Sequence, residues 1–233
     1  MNTAARAGGK SLRQGFLNAG RNAVAEDRTH VQLRGLPKTA LPSDVLRLIA
    51  RNRVENVTGV AIDYNGFKPT GRAYVKIASP DLVQTALERL DSSTMAAMTV
   101  RAVSTPGVDL ARRSRGAKGV EEAAERGVIS GNGPSGGLPP SQSGMNVVVF
   151  GLPSKMELEK VKAYFDGFEF ASMTRGDKEV IHVAQHEKVP SSRYLVRLAS
   201  VSEAHRFVRH VHMTYFDQEA WGGRYLMKAK VIY

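Results

Sequence analysis

The sequence contains no cysteine, so disulfides, thiolate metal ligands and a cysteine nucleophile are excluded. It also lacks an apolar run of the length that a membrane-spanning helix needs, about 20 residues. A lysine-bearing phosphate loop, a nucleophile elbow and a dinucleotide fingerprint are absent. Five histidines cluster late in the chain, but His205 and His210 are five positions apart rather than the four that align two ligands on a helix. We predict a protein that is not an enzyme, with no metal, no cofactor, no membrane contact and no small-molecule substrate.

Positive charge is the clearest excess in the composition. The 233 residues carry a formal net charge of +11 at pH 7. Residues 29–105 hold +4 of this charge and residues 145–233 hold +3, so the excess is not confined to one tail. An acidic partner is the simplest explanation of such a distribution.

Residues 70–77 alternate strictly between apolar and polar side chains, which is typical of a half-buried strand. The three polar positions place two cations around an aromatic ring. Cations contact phosphates and a ring stacks on a base, so this face suits a nucleic-acid strand. The three positions are Arg72, Tyr74 and Lys76.

The alternating stretch recurs at residues 192–198, and its surroundings recur with it. Gly35-Leu36-Pro37 matches Gly151-Leu152-Pro153, and each follows an apolar strand pattern. Each repeat runs strand, helix, strand, strand, helix, strand, and the first repeat closes with a strand predicted at 98–103. Serines are predicted to cap the four helices. These serines are Ser43, Ser79, Ser154 and Ser200. Two such units predict two copies of one domain rather than a solenoid.

Between the repeats, glycine, proline and serine replace large apolar residues. A segment of this composition buries too little surface to offset its chain entropy. We therefore predict four regions: a basic N-terminal arm at 1–28, a first domain at 29–105, a flexible linker at 106–144 and a second, divergent domain at 145–233.

These features together resemble the RNA recognition motif family, twice over. The family's longer motif reads Lys/Arg-Gly-aromatic-Gly/Ala-aromatic-aliphatic-x-aromatic. Residues 70–77 match it at Gly71, Ala73, Tyr74 and Val75. The resemblance implies an α+β fold of two ferredoxin-like βαββαβ domains, each a four-stranded antiparallel sheet backed by two helices.

The second copy departs further from the family. Residues 191–198 keep the alternation, but Ser192 stands at the glycine position, and Arg193 and Leu195 stand where aromatic residues would stack. The shorter motif would place aromatic residues at Gln32 and Val148. We therefore expect less base stacking and more phosphate contact than the family usually shows.

The predicted RNA-binding residues are basic or aromatic positions on the two sheet faces. In the first domain they are Gln32, Arg34, Arg72, Tyr74, Lys76 and Arg101. In the second domain they are Phe150, Arg193, Arg197, Lys228 and Lys230. The predicted partner is single-stranded RNA. An alternative is a protein-interaction scaffold with degenerate motifs, in which Val148 and Leu195 form an apolar patch for a protein partner.

The first 25 residues contain four basic residues and no acidic one. This pattern resembles a mitochondrial presequence, and with the tandem motifs the chain resembles fungal-type mitochondrial RNA-binding proteins. The expected location is then the mitochondrial matrix, with a role in RNA processing, translation or ribosome association. The alternative is an uncleaved arm that contacts RNA itself, in a nuclear messenger-RNA-processing factor.

Overall fold

The computed structural model describes residues 28–106, 131–154, 156–172, 178–183 and 191–233. The predictions made for the N-terminal arm and for residues 107–130 of the linker lie outside these ranges. The chain divides into two compact units. Among the described residues, the first unit comprises 28–60 and 72–106, and the second comprises 61–71 and everything from 131 onward.

The first βαββαβ array has four main strands in the order β6-β1-β3-β2, and a short strand β7 pairs with the far end of β2. Antiparallel pairing places β1 between β3 and β6. The elements are β1 His30–Arg34, α1 Pro42–Arg51, β2 Val57–Asn65, β3 Lys68–Ile77, α2 Val83–Leu90, β4 Thr94–Met95, β5 Met98–Thr99, β6 Arg101–Thr105 and β7 Gly133–Pro134.

The core of the first unit follows from the alternation of its strands. Val31, Leu33 and Val75 point to one face of the sheet and are fully buried. The apolar stripes of α1 and α2 cover that face, with Val45, Leu48, Ile49, Ala86 and Leu90 buried. Polar residues of the same strands are thereby left on the opposite face.

The second unit repeats this plan in a sheet with the order β11-β8-β10-β9. Phe207 lies in its core and packs edge to face against the buried Phe165, with ring centroids 4.8 Å apart, and against the partly buried Phe168, with ring centroids 4.9 Å apart. The elements are β8 Asn146–Pro153, α3 Leu158–Tyr164, β9 Val180–His182, β10 Ser191–Arg197, α4 Val201–Val211, α5 Gln218–Trp221 and β11 Lys228–Ile232. The predicted α+β class, with two βαββαβ arrays, is confirmed.

Glycine is required at the equivalent position of both arrays for the same structural reason. Gly35 and Gly151 have φ values of +83° and +93°. A Cβ atom would lie 2.6 Å from the carbonyl oxygen of Thr99 at the first position and 2.2 Å from that of Leu226 at the second. Both the backbone angle and the close approach of a neighbouring chain segment therefore require glycine.

Two of the predicted helix starts are wrong. Ser43 does not cap α1, because Pro42 is the first helical residue and the Asp44 carboxylate accepts the Leu41 backbone N–H at 3.0 Å. Ser154 does not cap α3, which begins only at Leu158. Strand β8 runs on to Pro153, whose carbonyl accepts the Ser192 hydroxyl at 2.6 Å, so the residue before Ser154 is still paired in the sheet.

Of the other two predicted caps, the one at Ser200 is confirmed, whereas the Ser79 side chain makes no capping hydrogen bond. Ser200 caps α4 by accepting the Glu203 backbone N–H at 3.1 Å. Ser79 precedes a 3₁₀ turn that leads into α2. The strand predicted at 98–103 is divided, because β4 and β5 form a small hairpin before β6 begins.

Within the second unit, the tip of the β2–β3 hairpin is held by residues 131–138, which the sequence placed in the flexible linker. Phe67 is fully buried, and its N–H donates to the Gly131 carbonyl at 2.9 Å. Strand β7 pairs with Asp63 and Tyr64, and the Gly66 N–H donates to the Asn132 side chain at 2.7 Å. These contacts give this part of the linker a defined backbone.

Candidate nucleic-acid interface

The helix-free face of the first sheet presents side chains in three rows that cross β6, β1 and β3. The register places Arg101, Arg34 and Arg72 directly opposite one another. Gln32 and Tyr74 lie in the next row with Val103, and His30 and Lys76 lie in the third with Thr105. All six residues predicted for the first domain therefore share one face.

The arginine row, defined as Arg34, Arg72 and Arg101, is the most strongly charged part of this face. All three residues are exposed. None of the ion pairs found between described residues includes them. Like charges on neighbouring strands repel one another, so a bound polyanion would stabilise this arrangement. Arginine donors also match phosphate oxygens in geometry.

In the middle row Val103 is 39% exposed, but the other two side chains are buried. Gln32 and Tyr74 are each only 7% exposed, although an exposed stacking ring was expected at Tyr74. The Gln32 amide donates to the Tyr74 hydroxyl at 2.7 Å and accepts from the Arg34 Nε at 2.7 Å. Gln32 thus links the buried tyrosine to the exposed arginine and orients Arg34 along the sheet.

His30 is a residue of this face that the sequence interpretation missed. It lies opposite Lys76 in the third row. Burial, and then the positive charge of Lys76, hold the pKa of His30 below its ordinary value. The alternation of β1 places His30 on the same side as Gln32 and Arg34. The position of His30 on this face could therefore have been predicted from the strand pattern.

The second sheet has a corresponding outer row. Lys228 lies opposite Phe150, which lies opposite Arg193. The Arg193 guanidinium sits over the Phe150 ring, 5.5 Å from its centroid. Lys228 and Lys230 are exposed on the edge strand β11. Three predicted residues thus meet in one row, with Lys230 beside them.

The inner part of the second sheet face is buried. Val148 and Leu195 were expected to form an exposed patch for a protein partner, but both are 0% exposed. Ile181 lies opposite Leu195 and is also buried, and the predicted RNA contact Arg197 is 9% exposed. Within this unit the Tyr64 hydroxyl accepts the Tyr233 backbone N–H at 3.3 Å, at the end of β11. Val148 and Leu195 therefore do not form an exposed patch for a protein partner.

Across the ranges that the structure describes, no group of three or more histidine, aspartate or glutamate side chains is placed to hold a metal ion. No helix in those ranges is both long enough and apolar enough to cross a bilayer.

A search of solved structures finds chains that contain RNA-binding domains. No protein-family model and no curated protein matches the sequence. A Sxl-lethal protein–RNA complex is 13% identical, with a TM-score of 0.30, and the match covers 88% of this chain and 99% of that one. The N-terminal three RNA-binding domains of the yeast splicing factor Prp24 are 10% identical, with a TM-score of 0.30 and coverage of 89% and 67%. The third such domain of Hrb1 is 20% identical, with a TM-score of 0.31 and coverage of 35% and 81%. At these identities and TM-scores, the three likenesses establish neither the fold nor the ligands of this chain.

Proposed function

We propose that this chain binds single-stranded RNA, and that the helix-free face of the first sheet is the principal contact surface. The observation that carries the proposal is the arginine row. Three exposed guanidinium groups lie in register on three adjacent strands, without a carboxylate partner among the described residues. Adjacent strands lie about 4.8 Å apart, so the row spans about 10 Å.

A flat sheet suits a single strand better than a duplex. A flexible backbone can bend to bring successive phosphates to the three arginines, whereas RNA duplexes are recognised across their wide minor groove. The resemblance to RNA recognition motifs implies the same choice of ligand. Because Tyr74 is buried, we expect phosphate contacts to contribute more to binding on this surface than base stacking does.

The second unit is proposed as a weaker contributor. Lys228 and Lys230 are exposed on an edge strand and can contact phosphates. Arg193 and Phe150 form a cation–π pair beside them, which presents a planar guanidinium for stacking on a base. Because two tethered weak sites act at high effective concentration, the pair of units can bind about 10²–10⁴ times more tightly than either alone.

The proposed cellular setting is mitochondrial RNA processing, translation or ribosome association. This proposal rests on the basic, acid-free composition of residues 1–25. Import of the full chain into isolated mitochondria, followed by N-terminal sequencing of the product, tests it. A product shortened near residue 28 is expected. Import failure, with nuclear accumulation of a tagged chain, would favour a nuclear messenger-RNA role.

Fluorescence anisotropy with pools of short single-stranded RNA, measured on the full chain across a salt series, tests RNA binding. Each phosphate contact contributes about 0.7 to the slope of log affinity against log salt. Arg72→Ala and Arg101→Ala should each lower this slope by about that amount. Arg47→Ala is the matched control, because Arg47 is an exposed arginine of α1, in the helical layer.

Two results would overturn the proposal. One is negligible binding at low salt, which would leave a protein-interaction scaffold as the better hypothesis. The other is an equal loss of slope in the control and in the two sheet variants. In that case net charge alone, and not the arginine row, would be responsible for binding.

A further inference from the structure

A short hairpin at residues 213–227 joins α4 to β11 and carries helix α5 at its tip. Tyr215 and Leu226 lie directly opposite each other in this hairpin. The two backbone hydrogen bonds that flank the pair are both 2.8 Å long. A pair of this kind, which exchanges no hydrogen bond itself, brings its two side chains close together on one face. Because the second limb continues directly into β11, the hairpin extends the second sheet.

The face on which Tyr215 lies follows from the burial of its neighbours. Phe216 is 4% exposed and Met227 is 1% exposed, and both belong to the hydrophobic core of the second unit. Successive side chains of a strand point to opposite faces, so Tyr215 and Leu226 point away from that core. Lys228 is two positions beyond Leu226 and is exposed on the same side. Tyr215 therefore lies on the helix-free face of the second sheet.

The hairpin pair continues the outer row of this face. Lys228 lies opposite Phe150 in that row. The Leu226 carbonyl closely approaches Gly151, the residue that follows Phe150. Two residues of a strand span about 7 Å, so the pair of Tyr215 and Leu226 forms a further row about 7 Å from Lys228. An exposed cation and an aromatic ring thus lie one row apart on a continuous surface.

The ring of Tyr215 is open to solvent. Tyr215 is 44% exposed. Tyr164 and Trp221 are also exposed, but each packs against a second ring, with centroids 4.3 Å and 5.3 Å apart. No ring contact among the described residues includes Tyr215. Gly223 lies beside the ring and has no side chain to cover it. A planar ligand can therefore reach Tyr215 without displacing another ring.

We propose that Tyr215 stacks on a base of single-stranded RNA while Lys228 contacts a neighbouring phosphate. The inference rests on the proposed RNA binding and names a base contact outside the two motif strands of the second domain. Exposed Lys228 and Lys230 give this face a positive charge, which favours a polyanion over an uncharged apolar partner. Every base has a π-face, so stacking on Tyr215 should tolerate any of the four bases.

Fluorescence anisotropy with short single-stranded RNA, measured on the full chain across a salt series, tests the stacking. Tyr215→Leu keeps apolar bulk but removes the ring, and it should lower the affinity by about 5- to 150-fold. Stacking is not a charge interaction, so the slope of log affinity against log salt should stay unchanged in this variant. Lys228→Ala should instead lower that slope by about 0.7. Tyr215→Phe keeps the ring and should bind as the parent does.

Tyr164→Leu is the matched control, because Tyr164 is 41% exposed but lies at the end of α3, in the helical layer. Its RNA affinity should equal that of the parent. Urea unfolding followed by Trp221 fluorescence establishes that each variant is folded under the binding conditions. Parent-like binding by Tyr215→Leu, or an equal loss in Tyr164→Leu, would overturn the proposal. An equal loss in Tyr215→Phe would overturn it too, because the hydroxyl and not the ring would then make the contact.

Photochemical crosslinking of the unsubstituted chain gives a second measurement that needs no variant. RNA that carries 5-iodouridine should form an adduct at Tyr215, located by mass spectrometry of the digested chain. Adducts that occur only at Trp221 or Tyr164 would refute the assignment. RNA binding that Arg72→Ala weakens and Tyr215→Leu does not would refute this inference alone. RNA binding that depends on Tyr215 but not on the arginine row would refute only the proposed role of the first sheet.

Discussion

The burial of Phe67 among glycines predicts a large and specific loss of stability in the second unit when the ring is removed. Phe67 is 0% exposed. Atoms of its ring lie 2.3 Å and 2.7 Å from the positions that Cβ atoms at Gly131 and Gly136 would occupy. The ring therefore contacts both glycines closely, and Phe67→Ala would leave a cavity that the surrounding backbone cannot fill.

The expected cost of Phe67→Ala is about 3–5 kcal/mol, the range for truncating a buried phenylalanine. Trp221 is the single tryptophan of the chain and lies in the second unit, so its fluorescence reports on that unit. With a urea dependence of about 2 kcal/mol/M, the midpoint of the Trp221 transition should fall by about 1.5–2.5 M. Met213→Ala is the control, because Met213 is 55% exposed, and its midpoint should move little.

A double-mutant cycle makes this prediction specific to the contact. Gly131→Ala alone should destabilise the unit strongly, because its Cβ would overlap the Phe67 ring and its φ is +69°. In the double variant Phe67→Ala/Gly131→Ala the overlap is gone, so the second substitution should add only the backbone strain of about 1 kcal/mol. Additive losses, or an unchanged Trp221 transition in Phe67→Ala, would refute the reasoning.

Three further predictions concern the repeated glycine, the histidine and the buried tyrosine. Gly151→Ala should strongly destabilise the second unit, because the added Cβ would lie 2.2 Å from the carbonyl oxygen of Leu226. Thermal unfolding measures this loss, and an unchanged midpoint would contradict the prediction. The lowered pKa of His30 means that the unfolded chain takes up a proton at higher pH than the folded one, so the first unit should lose stability as the pH falls through about 6.5. His30→Gln should abolish that part of the pH dependence in urea titrations at pH 7.5 and 5.5, and an identical dependence in the variant would count against it. Tyr74→Phe should cost about 1–2 kcal/mol, because the buried Gln32 amide loses its acceptor, while RNA affinity should change less than in Arg72→Ala; anisotropy and urea unfolding of the same samples compare the two.

Much of the candidate site could be predicted because side chains alternate between the two faces of a strand. Arg72 and Lys76 are each one position from a core-facing residue, so period two alone places them on the opposite face of the sheet. The Gly-Leu-Pro repeat likewise indicates two copies of one domain from the sequence alone. The helix starts at Ser43 and Ser154 were harder to predict, because Pro42 in one case and a strand contact in the other outweighed the local capping signal.

What the sequence determined by itself was the fold class, the faces of the strands and the excess of positive charge, since these depend on local periodicity and composition. The tertiary structure decided which distant residues meet. Arg34, Arg72 and Arg101 form one row because strand pairing brings three separate segments into register. The exposure of Tyr74, Val148 and Leu195 was also decided there, since alternation assigns a side chain to a face but does not reveal what covers that face.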